Sequence, residues 1–238
     1  MQAKDRVIAA LDFTDGDLAL ELAGRLREWV GLFKVGLPLI VGSGFSIVDR
    51  LRREGHAVVL DLKYHDLPDR VESAVRAAAR KGTAMVTVQA LGGSDMLKAS
   101  MRSLSEMTII PGVPPPRIIA TTVFSHVARE ALEQVGFGED PRALSLRLAR
   151  LALDAGVDGV MVSPRWAAEV RELAGPDALI LCPGIRAPGD THDAHGIEAA
   201  EAIRAGASHV IVGAPLRRAS DPQALARSIV EEIAHVAA

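Results

Sequence analysis

Asp61 and Lys63 stand two residues apart in Val58-Val59-Leu60-Asp61-Leu62-Lys63-Tyr64-His65-Asp66-Leu67-Pro68, where an apolar, β-branched run gives way to charge. Side chains alternate along a strand, so the two leave one face about 6.5–7 Å apart along the backbone. A carboxylate and an ammonium ending one buried strand can exchange a proton with a substrate or stabilise charge on a reacting carbon. Pro68 suits the first turn of a helix, and Asp66 is placed to cap it. The charges therefore fall where a strand passes through a loop into a helix, the place where α/β sheets carry their chemistry. The plainer alternatives are a structural ion pair and a simple cap.

Other strand ends carry similar groups. Residues 6–12 (RVIAALD) form a short apolar strand ending in Asp12, and 30–36 (VGLFKVG) embed Lys34, which is costly to bury without a partner. Gln89 ends 84–90, Ser125 follows 117–124, and 178–184 run into Pro183-Gly184-Ile185-Arg186. Residues 159–164 and 209–214 complete the set of eight strands, the last ending in Val212-Gly213-Ala214. Helical spacing follows each strand. Leu18, Leu22 and Leu26 mark a face within 15–29, and further helices are expected at about 38–53, 68–81, 94–105, 126–135 with 141–155, 165–173, up to 205, and 221–236.

Eight strands, each followed by a helix, have the count and length of a single (β/α)8 TIM barrel of the α/β class, one domain over 1–238. A doubly wound open sheet is the alternative. The Pro-rich stretch 111–116 reads as a stiff connector, because the alternation resumes unchanged beyond it. In a barrel all C-terminal strand ends meet at one mouth. Asp12, Lys34, Asp61 and Lys63 then become neighbours and can alternate in sign, each ion offsetting the desolvation of the next. A polar top layer with no further role is the alternative. The loops after strands seven and eight typically bind phosphate in such barrels; Arg186 can grip two oxygens and Gly213 lets the backbone come close.

Composition limits the partners. Hydrophobic residues make up 49% of the chain but aromatics only 3%, so the core must be built from Ala, Val, Leu and Ile. A net charge of −3 lacks the basic footprint of nucleic-acid binding. One cysteine, Cys182, rules out an intrachain disulfide and a cysteine metal cluster. No apolar run approaches the ~20 residues of a membrane span, and residues 1–6 lead straight into a strand. A cytoplasmic protein without membrane contact is expected.

Asp61-Leu62-Lys63-Tyr64-His65-Asp66-Leu67-Pro68 closely resembles the D-x-K-x-x-D-[IL]-P signature of orotidine 5′-monophosphate decarboxylases. The likeness extends to the ALD ending at Asp12, F-K-V-G at Lys34, Phe124-Ser125-His126, P-G-I-R at Arg186 and V-G-x-P at Gly213. The resemblance implies a homodimer that decarboxylates orotidine monophosphate to uridine monophosphate with no cofactor and no metal. By the match, Lys63 is the general acid, Asp61 lies against the substrate carboxylate, Lys34 braces the network and touches the ribose, and Asp12 binds a ribose hydroxyl. Asp66 resembles an acid that reaches into the partner's site, and Ser125 matches a residue that reads the pyrimidine edge. Pro183, Arg186, Gly213 and Ala214 fall in the phosphate region. The chain departs from the family at Ala214, where arginine is usual, at Ala194 in the strand-seven loop, where glutamine is usual, at Arg70 for a threonine and at Gln89 for a histidine. The catalytic signature is intact, while part of the substrate grip is changed.

Two other readings stay open. His192, Asp193 and His195 could hold a metal, as in a metal-dependent sugar-phosphate lyase or epimerase of similar fold. A non-catalytic descendant that binds a nucleotide is the other.

Overall fold

Successive side chains of each short apolar run enter two buried layers, one against the helices and one inside the sheet. On β1 (Val7–Ala10), Val7 and Ala9 join the large cluster facing the helices, while Ile8 and Ala10 pack inside with Val59, Met85, Ile119, Met161, Leu181 and Ile211. The computed structural model describes residues 1–105, 114–124, 126–189 and 196–237. After β1 come β2 (Leu32–Gly36), β3 (Ala57–Tyr64), β4 (Met85–Gln89), β5 (Arg117–Thr121), β6 (Gly159–Met161), β7 (Leu179–Cys182) and β8 (His209–Val212). Each is parallel to the next, and β8 pairs with β1, giving the expected closed (β/α)8 barrel rather than an open sheet.

The helices are α1 (Gly16–Leu26), α2 (Leu37–Ser43), α3 (Ser46–Arg53), α4 (Pro68–Arg80), α5 (Gly93–Ser105), α6 (Arg129–Gln134), α7 (Pro141–Asp154), α8 (Ala167–Ala174), α9 (Ala199–Arg204), α10 (Ala214–Arg218) and α11 (Pro222–Ala237). Asp15 caps α1, accepting from the amides of Asp17 at 2.7 Å and Leu18 at 3.4 Å, and Asp140 does the same for α7.

Several local expectations are corrected. Leu18 is 51% exposed, and α1 buries Ala19, Leu22, Ala23 and Leu26 instead. Four-residue spacing overshoots a turn by about 40° per step, so three leucines at that spacing drift off the face, whereas a mixed three-and-four spacing holds it. The helix expected over 38–53 is two, α2 and α3, broken at Gly44, whose φ of 69° ends α2. Asp66 does not cap α4. Leu67 occupies the cap position without a side-chain bond, and the Asp66 carboxylate accepts from the neighbouring Leu67 amide, at 2.7 Å, and from the Arg70 guanidinium rather than from an amide within the first turn. The short helix α10, wedged between β8 and α11, was not anticipated; Pro215 in its first turn supports it. Among the described residues no helix is long and apolar enough to cross a membrane.

Candidate active site

Four charges from three adjacent strands form an unbroken series at the C-terminal mouth. Asp12, two residues beyond β1, accepts from Lys34 Nζ through Oδ1 at 3.1 Å. Lys34, on β2, also faces Asp61 Oδ2 at 3.4 Å, and Asp61 Oδ1, on β3, accepts from Lys63 Nζ at 2.8 Å. Signs alternate throughout. Lys34 and Asp61 are buried, with side chains 11% and 5% exposed, while Lys63 reaches out at 38%. Burial alone would push the Asp61 carboxyl up. Lys34 and then Lys63, with hydrogen bonds from Lys63 and Thr87, outweigh it and hold the group below its usual value.

Simple strand alternation does not account for Lys63. The β3–β4 register runs Val59 to Met85 and Leu60 to Val86, then resumes at Tyr64 opposite Val88, so β3 bulges between. Lys63 sits in that bulge with φ of +49°, left-handed for a residue other than glycine. Its ammonium meets Asp61 because the backbone turns there. Thr87, on β4 and fully buried, was missed by sequence reasoning. Its hydroxyl donates to Asp61 Oδ1 at 2.9 Å and accepts from the Lys63 amide at 2.9 Å. The available signal was a polar residue two positions beyond inward-facing Met85, level with Asp61.

Of two glycines beside the Asp12–Lys34 pair, Gly213, just beyond β8, is the one where a side chain would crowd a charge, while Gly36 would tolerate ordinary contact. A Cβ on Gly36 would stand 3.5 Å from Lys34 Nζ, and one on Gly213 would press to 3.3 Å from Asp12 Oδ2.

These four charges line a cavity of about 380 Å³ that extends to Pro183, Gly184, Ile185, Gly213 and Ala214 on the β7–β8 side. Phe124 and His126 form part of its wall, their rings stacked with centroids 5.8 Å apart. Arg186 is not in the lining. Its guanidinium meets Glu198 at 3.3 Å, at the foot of the strand-seven loop, where its amide bonds to the Ile197 carbonyl at 3.0 Å. Arg217, on α10, donates to the Asp12 carbonyl at 2.5 Å and brings a second guanidinium to the β1–β8 edge.

Asp66 stands apart, in a second hollow lined also by Tyr64, His65 and Arg70, with Arg70 at 3.5 Å. Gln89 ends β4 opposite Thr121. Ser125, Ala194 and the His192, Asp193 and His195 group lie outside the described residues. Among the described residues no cluster of His, Cys, Asp or Glu could hold a metal ion. Cys182 is buried, and burial pushes its thiol up to about 12, too high for a nucleophile near neutral pH.

The barrel and its charged mouth define the class: a (β/α)8-barrel enzyme with a series of alternating carboxylates and ammonium groups at the C-terminal mouth of its strands. More particularly, the chain belongs to the orotidine 5′-phosphate decarboxylase / HUMPS family, whose model matches residues 5–229. It is 43% identical to orotidine 5′-phosphate decarboxylase of Anaeromyxobacter sp. (strain K) over 96% of this chain and 98% of that one. It is 41% identical to the Moorella thermoacetica enzyme of the same name over 98% of this chain and 94% of that one. The crystal structure of orotidine 5′-phosphate decarboxylase from Lactobacillus acidophilus superposes with a TM-score of 0.85 at 31% identity, covering 95% of this chain and 98% of that one.

Proposed function

We propose that this protein is a carboxy-lyase that converts orotidine 5′-phosphate to uridine 5′-phosphate in pyrimidine synthesis. The observation that carries the reading is the series Asp12, Lys34, Asp61 and Lys63, ending on an ammonium at the cavity. As the bond from the ring carbon to the carboxylate breaks, its electron pair stays on the ring carbon. An ammonium fixed beside that carbon stabilises the growing charge more than the substrate and then delivers a proton to it. Lys63, held by Asp61, is that group, and no further electron sink is called for. Asp61 stays ionised against the departing carboxylate, Lys34 braces it, and Lys34 and Asp12 address the ribose. Pro183, Gly213 and Ala214 line the phosphate end, with Arg186 at its rim. Ser125 is assigned the pyrimidine edge.

The reading also makes the working unit a homodimer in the cytoplasm. Three neighbouring βα junctions expose apolar side chains: Leu37, Val41 and Phe45 after β2, Leu67 after β3 and Leu91 after β4. A patch of that kind supports burial against a second copy. Asp66, outside its own chain's cavity, lies on that side and is assigned to the partner's site.

Turnover of orotidine 5′-phosphate, followed as loss of its ultraviolet absorbance, tests the proposal. Lys63→Ala should lower kcat at least about 1,000-fold with the fold intact. A variant with near wild-type rate ends the assignment.

A further inference from the structure

We propose that Thr87 is a positioning residue of this site, its single hydroxyl locking the Asp61 carboxylate and the Lys63 backbone into one unit. The inference rests on the function proposed above. A hydroxyl has one proton and two lone pairs, and here both kinds of capacity are directed at the reacting groups. The proton goes to Asp61 Oδ1 at 2.9 Å, and a lone pair takes the Lys63 amide at 2.9 Å. Asp61 Oδ1 also receives Lys63 Nζ at 2.8 Å while Oδ2 faces Lys34 Nζ at 3.4 Å, so rotating the carboxylate would break contacts on both sides.

The need for Thr87 comes from the bulge. Four steps of β3, from Leu60 to Tyr64, span two steps of β4, from Val86 to Val88, and Thr87 lies opposite the slack. The ladder is interrupted there, and a side-chain oxygen on β4 serves the Lys63 amide. Lys63 keeps its left-handed φ of +49° only while its surroundings hold it. Thr87 is fully buried, so solvent water does not stand ready to replace the hydroxyl. The residue touches the two groups of the proposed chemistry without reaching the substrate, and acts through them by preorganisation.

Three variants test this. Thr87→Val keeps the shape and removes the hydroxyl; it should lower kcat about 100-fold with KM within about threefold, since a small misplacement near the reacting carbon costs this much. Thr87→Ser, which keeps the hydroxyl, should stay within about fivefold of wild type. If Thr87→Val does not fold, Thr87→Cys, with its weak donor, is read in its place with the same expected loss. A kcat per folded molecule unchanged in Thr87→Val, or a loss in Thr87→Ser as deep as in Thr87→Val, overturns the proposal.

The second readout is the titration of Asp61 by carboxyl 13C NMR, assigned with Asp61→Asn. The charged groups around it are Lys34 on β2, Lys63 on its own strand and, beyond Lys34, Asp12 at the end of β1; β4 contributes only the neutral Thr87. Its midpoint should rise in Thr87→Val and return to the wild-type value in Thr87→Ser. If the wild-type protein does not turn over orotidine 5′-phosphate, the functional reading fails by itself. The Asp61 titration then still decides Thr87, and an unmoved midpoint in Thr87→Val overturns its role.

Discussion

Lys34 and Lys63 flank the same carboxylate yet stand in different surroundings, 11% and 38% exposed. Removing Lys34 leaves Asp61 buried with one ammonium and Asp12 without its partner, so Lys34→Ala should destabilise the fold by about 3 kcal/mol in urea unfolding. Lys63→Ala leaves Lys34 and Thr87 on Asp61, and should cost about 1 kcal/mol or less while removing turnover. Equal losses would mean that burial does not separate the two. At the other end of the cavity, Ala214 offers no charge and Arg186 meets Glu198. If Arg186 holds the substrate phosphate from the rim, Arg186→Ala should raise KM at least about 10-fold, and turnover should fall if phosphate binding helps close the strand-seven loop. Ala214→Arg should lower KM for orotidine 5′-phosphate. Unchanged kinetics in Arg186→Ala would remove that arginine from the phosphate site, and weaker binding in Ala214→Arg would mean a pocket shaped for another ligand.

Among the described residues, α2 carries the most exposed large apolar side chain. Val41 is 83% exposed and Leu37 59%, one turn apart on a helix that buries only Leu39. Val41→Asp should shift the protein toward monomer in light scattering and reduce activity with it, if this face meets a second copy. The junction before α4 supplies a sharper measurement. If the working unit is a homodimer and Asp66 completes the partner's site, Lys63→Ala and Asp66→Ala, each inactive alone, should regain about a quarter of wild-type activity when mixed and allowed to exchange, because half the dimers would be mixed and each would have one site complete. No recovery after verified exchange would make each site the work of one chain.

For the whole molecule, acid should act through its buried histidines before its carboxylates. His209, at the start of β8, is 4% exposed, and burial, with Arg6 adding to it, lowers its value to about 4. His56 is lowered by burial as well. The unfolded chain therefore takes up protons that the folded chain refuses between about pH 6.5 and 4, and stability falls as pH falls through that window. His209 alone should cost about 2 kcal/mol between neutrality and pH 5, measured as a shift in urea midpoint, and His209→Leu should flatten the dependence. The depressed Asp61 adds a loss in the same direction only at lower pH, below its unfolded value.

The barrel was legible in the sequence because its signal is local: eight apolar runs with a helix after each, and a charge at the end of the first three. Barrel closure alone was enough to bring Asp12, Lys34, Asp61 and Lys63 to one mouth, since parallel strands place all their C-terminal ends together. What depended on register and neighbours could not be read that way. The bulge that turns Lys63 toward Asp61 exists only in the pairing of β3 with β4, and Thr87 becomes part of the site only because that pairing sets it opposite. Asp66 had the residue type and spacing of a cap, but the path of the chain into α4 put Leu67 there. Arg186 had the charge for an anion, and Glu198, twelve residues on, was brought against it by the fold. Residue type and order determined which groups are present and at which end of the barrel; distance, exposure and shared protons were decided by packing between strands that the sequence keeps far apart.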